Sequence, residues 1–386
     1  MTALEIALPT ARGEIAPYRL VHGGAPRVRV KRTPPQSRVA YAAAHVVADP
    51  LAGDPLLDSR IDWDATLAYR HHLWSLGFGV AEAMDTAQRG MGITGAQVRE
   101  LIDRSLREAA SVGGLIACGI ATDGLEGAHD LRTIIDAYRE QLAFVEERGG
   151  RAVVMASRAL AASARGTEDY VTVYDAVLGA AQRPVIIHWL GEMFDPKLAG
   201  YWGSHDRACA TAQVVDMLEE HAAKIDGIKV SLLDEAHEVA LRRKLPPGVR
   251  MYTGDDYNFP QLIAGDEQGY SDALLGIFDA IAPVAADAFA ALDDGDDEGF
   301  RRLLEPTVAF SRHVFGTPTY AYKTGIVFLA YLNGHQNHFR MIGGLESARS
   351  IAHLAELFRL ADAAGLLDDP ERALARMQAT LALAGI

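Results

Sequence analysis

From residue 38 onward the chain alternates between short, continuous apolar runs and longer stretches with apolar residues at helical spacing. The short runs lie at residues 39–47, 79–84, 114–120, 152–157, 184–190, 227–232, 249–254 and 269–275. In Val185-Ile186-Ile187 there is no polar residue in alternation, which is how a strand buried on both faces reads. Between the runs, periodicity predicts helices over 62–76, 95–112, 128–148, 167–182, 207–223 and 233–244. Eight strands in strict alternation with helices, unbroken in the middle, predict a closed (β/α)8 TIM barrel of the α/β class rather than an open sheet. After about residue 284 the strand pattern stops, and 284–292, 298–314, 318–332, 345–365 and 370–384 read as helix alone.

The N-terminal stretch holds two short alternating segments, residues 19–23 and 27–32, followed by the stop Thr33-Pro34-Pro35. These predict a hairpin on the outside of the main domain. The expected organisation is an N-terminal hairpin-like appendage over 1–37, a catalytic barrel over 38–283 and a helical C-terminal extension over 284–386.

Composition narrows the function classes. The 386 residues are 49% hydrophobic and 23% charged, with a formal net charge of −14. That suits one barrel of about 250 residues with extensions. The acidic balance argues against nucleic-acid binding and against docking on anionic membranes. No run of about 18 apolar residues is present, so no membrane span is expected. The first residues lack a basic start and an apolar core, so no secretory signal is expected. Cys118 and Cys209 are the only cysteines. They read as reduced thiols of a cytoplasmic protein, with no zinc spacing. The acidic stretch 293–298 reads as a solvated loop.

Barrel active sites lie at the C-terminal ends of the strands, which turns the strand pattern into a set of candidates. Lys229 sits inside the sixth run, between Ile228 and Val230. Burying an ammonium costs several kcal/mol unless it is paired or its pKa falls. Lys229 therefore reads either as a lysine paired to a barrel carboxylate or as a desolvated amine poised to attack a carbonyl. His188 ends the fifth run, on a neighbouring strand, and imidazole shuttles protons near neutral pH. Thr86 follows the second run, and Asp255 and Asp256 follow the seventh, where carboxylates suit binding hydroxyls or holding Lys229. Tyr270 and Ser271 open the eighth run, and Trp189 and Trp202 suit stacking on a sugar ring or core packing.

Other patterns carry less. Gly90-Met91-Gly92-Ile93-Thr94-Gly95 spells a GxGxxG, but it does not follow its strand directly as a dinucleotide fingerprint should. Thr94 with Gln97 reads better as a helix capping box. His71-His72 read as surface or packing residues. His335 and His338 have a spacing that permits a shared metal, without an acidic partner nearby in sequence.

Gly227-Ile228-Lys229 in the sixth run, Gly254-Asp255-Asp256 after the seventh and a Gly269-led eighth run resemble the dihydrodipicolinate synthase / N-acetylneuraminate lyase superfamily. The likeness covers roughly residues 38–345, including Ile61-Asp62-Trp63 and Tyr322-Lys323, and points to an uncharacterised divergent branch. It implies a class I aldolase-type lyase or dehydratase, in which Lys229 forms a Schiff base with a 2-oxo acid or keto-sugar carbonyl, with no cofactor and no metal. It also implies a homo-oligomer, a dimer or tetramer, with a small-molecule carbonyl substrate as partner.

Two departures stand out. The family's Tyr-Asn pair ending the fifth strand, whose tyrosine relays protons, is matched by His188-Trp189. Its Thr-Thr-Gly-Glu after the second strand, which holds pyruvate's carboxylate, is matched by Thr86-Ala87-Gln88-Arg89. A larger, sugar-derived substrate is therefore expected, read by Glu192, Asp195, His205 and Asp206. The expected roles are catalysis by Lys229, His188 and Thr86, and substrate binding by Asp255, Asp256, Trp189 and Tyr270. The competing readings are a metal-dependent isomerase or hydrolase built on His188, Asp255 and Asp256, with Glu192 or His205 as a further ligand, and a non-catalytic sugar-binding barrel. Absence of HxH or HExxH spacing weighs against the first of these. The retained Lys229 weighs against the second.

Overall fold

A computed structural model describes residues 4–21, 32–54 and 57–386. Its strands are β1 (Glu5–Pro9), β2 (Ile15–Arg19), β3 (Ala40–Ala43), β4 (Gly79–Glu82), β5 (Ile116–Ile120), β6 (Arg151–Val154), β7 (Val185–Leu190), β8 (Ile225–Ser231), β9 (Arg250–Thr253) and β10 (Asp272–Leu275). Strands β3 to β10 pair in sequence order, all parallel, and β10 closes onto β3. This is the expected (β/α)8 barrel. Right-handed crossovers bring every strand's C-terminal end to the same mouth.

The intervening helices start where their caps place them. Asp62, Asp130, Asp206 and Asp234 each accept backbone N–H groups at the first turn of the helix that follows. Each such cap contributes about 1 kcal/mol. Thr94 and Gln97 form the full capping box at the head of Gly95–Val112, which accounts for the GxGxxG spelling without a nucleotide.

Each strand is two-faced. Tyr41, Ala43, Ala81, Ala117, Val153, Ile186, Tyr252 and Leu274 meet in a cluster inside the barrel. Val154, Ile187, Ile228, Val230 and Met251 belong to the layer between strands and helices. Successive side chains point to opposite faces. His188, two residues after Ile186, and Lys229, between Ile228 and Val230, therefore face inward.

The helix Ile277–Asp293 follows β10 and packs on β3, so it is the barrel's eighth helix. It runs through the expected boundary at residues 283 and 284. One apolar core continues from this helix through Phe300, Phe310, Phe328 and Phe358 to Met377. The helices Asp297–Val314, Tyr322–Leu332, Ile351–Ala363 and Pro370–Leu383 are thus fused to the barrel.

The N-terminal hairpin is present, but its arms are β1 and β2, paired antiparallel. It packs on Ile351–Ala363, where the Tyr18 hydroxyl and the Val21 N–H both donate to Asp362, at 2.7 and 2.6 Å. The expected second arm at 27–32 lies outside the described residues, except for Arg32.

Candidate active site

Lys229 stands next to His188 on β7 and Tyr252 on β9, its Cα partners in register. It is buried. Among the described residues its Nζ has neither a hydrogen bond nor an ion pair. Gly254, across from it on the β9 exit, is required by this approach: a Cβ there would lie 2.8 Å from Lys229 Cε and would collide with Ser231 Oγ. Burial pushes the Lys229 pKa below the ordinary lysine range, while the carboxylates of Asp256 and Asp85 oppose the fall.

His188 is wholly buried, with Nε2 3.2 Å from Ser231 Oγ and Nδ1 without a partner. Burial, and then the nearby Lys229 charge, hold its pKa well below the usual histidine value, so the ring is neutral. Asp256 lies in the same pocket of charge. Its Oδ1 accepts the Ile277 N–H at 2.9 Å, at the head of the eighth barrel helix. Burial raises its pKa; the Ile277 amide and Lys229 pull the other way.

Thr86 is brought to the mouth by a short turn, Asp85–Ala87, flanked by Ala83 and Gln88 at φ 53° and 62°. Non-glycine residues in this region cost about 1–3 kcal/mol each and are found where surroundings enforce them. Here Gln88 is held by the Ile342 carbonyl at 2.7 Å, and Arg89 by Asp123, Gln141 and the Gly119 carbonyl. Thr86 Oγ1 sits 2.8 Å from the hydroxyl of Tyr322. Tyr322 arrives from the C-terminal helices, stacks on Phe315 at 4.4 Å, and lies over Gly276 at the end of β10. Burial and the field of Asp85 raise its phenol well above the ordinary value.

The structure brings Lys229, His188, Asp256 and Thr86 to one end of the barrel. The other expected residues are engaged elsewhere, although Asp255 follows β9 at the same end. Asp255 is spent on its own turn, its carboxylate accepting from the Tyr257 and Asn258 N–H groups and from Asn258 Nδ2. Trp189 belongs to the outer face of β7, opposite His188 in the alternation, edge-on to Trp202 and His237. Tyr270 precedes β10 and so sits at the N-terminal end, with the Arg38 guanidinium 3.5 Å over its ring. A residue that opens a barrel strand is a strand length away from the mouth, which is why its sequence position misleads.

Glu192 and His205 line a separate pocket of about 140 Å³ with Trp189 and Tyr201. Asp206 caps Arg207–Glu220, and Asp195 pairs with Arg158. Among the described residues, three ligand-type side chains converge only at Asp175, Glu220 and His221 on the outer helices. The set His188, Asp255, Asp256, Glu192 and His205 does not converge in this way. His335 lies tilted against His72 and edge-on to Tyr69, and His338 Nδ1 accepts the Arg340 N–H.

Three residues at this end of the barrel were not singled out for chemistry by sequence reasoning: Asp85, whose charge acts on Lys229, and Tyr322 and Lys323. Lys323 had a signal, the same one that marks Lys229, since it begins the apolar stretch Thr324-Gly325-Ile326-Val327-Phe328. Tyr322 was marked only by the Tyr322-Lys323 of the resemblance, and Asp85 by nothing, because their partners lie far away in the chain.

The site defines a class: a parallel eight-stranded barrel with an inward, unpaired lysine on its sixth strand. The chain belongs to the family described as "Protein of unknown function (DUF993)", which it matches over residues 6–386. No curated protein matches it. Among solved structures it is similar to YagE, a prophage protein of the dihydrodipicolinic acid synthase family from E. coli K12 in complex with pyruvate, with a TM-score of 0.66 and 13% identity over 85% of this chain and 99% of that one. Dihydrodipicolinate synthase from Aquifex aeolicus gives 0.64 and 12%, over 86% and 99%. The enzyme from Bacteroides thetaiotaomicron gives 0.64 and 14%, over 84% and 99%. The sequence resemblance thus extends to the fold.

Proposed function

We propose that this protein is a Schiff-base-forming lyase, aldolase or dehydratase that engages the carbonyl of a 2-oxo acid or keto-sugar-type substrate on Lys229. One observation carries the reading. Lys229 is a buried amine at the barrel mouth with no ion pair among the described residues, its pKa lowered by burial. An amine must be neutral to attack, and desolvation is the usual means of making it so near neutral pH.

In this reading the Nζ lone pair adds to the carbonyl carbon. The oxygen gains a proton and Nζ gives one up, forming a neutral carbinolamine. A second proton on that hydroxyl lets water leave, and the iminium remains. In a lyase, a base takes the proton of the hydroxyl on the departing carbon. The electrons of the adjacent C–C bond then flow into the iminium and leave an enamine. In a dehydratase, loss of the α-proton forms the enamine, which expels the β-hydroxyl. Protonation and hydrolysis free Lys229.

The hydroxyl pair Thr86–Tyr322 is assigned the proton relay that the family tyrosine performs, and neutral His188 accepts a proton at Nδ1. Asp256 positions Lys229 by its charge. The test is borohydride reduction in the presence of candidate 2-oxo acids and keto-sugars, followed by peptide mass spectrometry. A reduced adduct on Lys229 is expected. A substrate that turns over without ever labelling Lys229 overturns the reading.

A further inference from the structure

Four cationic side chains are buried among the described residues: Arg70, Arg89, Lys229 and Lys323. Arg70 grips Glu82 at 2.9 Å, and Arg89 grips Asp123 at 3.0 Å. Lys229 is accounted for by the carbonyl it attacks. Lys323 is not accounted for. It is 3% exposed, at the first turn of Tyr322–Leu332. Its Nζ donates to the Tyr320 carbonyl at 3.2 Å, touches Met91 Sδ at 3.4 Å and lies 4.5 Å from the Tyr322 ring centre. All three partners are neutral. No carboxylate pairs with it within 4.0 Å among the described residues, in a chain with 51 acidic side chains.

A buried ammonium with only neutral acceptors costs several kcal/mol, a cost that a ligand's negative charge offsets. The surroundings fit such a ligand. Arg158 packs against Gly90, one residue from Met91, and its charge is felt at Lys323. It is half-exposed and paired to Asp195, so it stands at the rim. Tyr322, the neighbour of Lys323 in the same helix start, meets Thr86 on the turn Asp85–Ala87, and the fields of Asp85 and of Asp195, the partner of Arg158, also act at Lys323. Burial holds the Lys323 pKa down to about 8, so near neutral pH the group is still largely charged.

We infer that Lys323, with Arg158 at the rim, is an oxyanion seat that holds the acidic group of the substrate while Lys229 engages its carbonyl. The substrate is then an acidic carbonyl compound, a carboxylate or a phosphate ester, and not a neutral keto-sugar. That the anion and the carbonyl belong to one molecule rests on the Schiff-base reading above; the seat itself does not.

Calorimetry at pH 7 with oxalate and with inorganic phosphate tests the seat, since neither probe can form an imine. One saturable site per chain is expected in the unmodified protein. Lys323→Met is expected to weaken it about tenfold or more, the size of a lost charged hydrogen bond, and Arg158→Gln severalfold. Lys323→Arg and Lys229→Met are expected to retain binding. Preference for oxalate assigns a carboxylate, and preference for phosphate a phosphate ester. Absence of binding by either probe, or equal affinity in Lys323→Met, overturns the seat. If Lys323→Met does not fold, unchanged affinity in Arg158→Gln overturns it. Oxalate or phosphate binding without any borohydride adduct on Lys229 would leave the seat standing and remove the Schiff-base reading instead.

Discussion

The two ends of the barrel carry similar side chains and use them differently. At the N-terminal end, a register shift between β7 and β8 leaves Asp226 unpaired in the ladder. Its carboxylate accepts the Tyr252 hydroxyl at 2.6 Å and pairs with Arg151 at 3.1 Å. Nearby, Asp272 pairs with Arg250 at 2.9 Å and accepts the Val39 N–H at 2.6 Å. At the C-terminal end, among the described residues, Lys229 and Lys323 lack direct carboxylate partners, His188 keeps a bare Nδ1, and Asp256 is held by backbone amides. Opposite charges paired at short range contribute to holding a fold closed. Charges left apart in a dry site keep shifted pKa values and free lone pairs, which is what proton transfer and nucleophilic attack require.

This contrast can be broken by substitution, and the effects should fall in order. Lys229→Met should remove both turnover and the reducible adduct, a loss of about 10⁴ or more in kcat, the scale of deleting a nucleophile; persistence of either in the purified variant would dissolve the distinction. Tyr322→Phe and His188→Ala should each lower kcat by about 10²–10⁴, the range for one acid–base group. Unchanged steady-state kinetics for either would reduce that residue to packing.

Asp256→Asn sharpens the electrostatics. The Asp256 charge raises the Lys229 pKa against desolvation. Without it the amine becomes neutral at lower pH, so the pH profile of borohydride trapping should move down by about one pH unit. A move upward, or none, would contradict the assigned positioning role.

At the other end, Asp226→Asn should cost about 2 kcal/mol in urea unfolding, since Arg151 loses its counter-ion and Tyr252 a charged acceptor, with turnover unchanged. Tyr270→Ala should be the mildest, about 0.5–1 kcal/mol of lost cation–π contact with Arg38 and no change in kinetics. A kinetic defect in that variant would return Tyr270 to the substrate site.

The barrel was legible because each of its signals is local. Continuous apolar runs mark doubly covered strands, and the observed strands fall within the predicted ones at nearly every position. Residues 283 and 284 lie within one helix, Ile277–Asp293, and a helix that closes a barrel has the same periodicity as one that extends it. Trp189 and Tyr270 looked like site residues because they adjoin the right strands. Adjacent residues on a strand face opposite ways, however, and the two ends of a strand lie at opposite ends of the barrel.

What the sequence determined by itself was the closed barrel, the helix caps and the inward direction of Lys229. Its flanking Ile228 and Val230 must be buried among the helices, and the alternation then turns the lysine inside. Only the tertiary structure decided which of two adjacent aspartates faces that lysine, one being consumed by its own turn and the other left at the head of a helix. Only closure of the C-terminal helices onto the mouth joined Tyr322 to Thr86 and set Lys323 beside the turn that carries Asp85. Such contacts depend on where distant elements pack, and no periodicity along the chain encodes that distance.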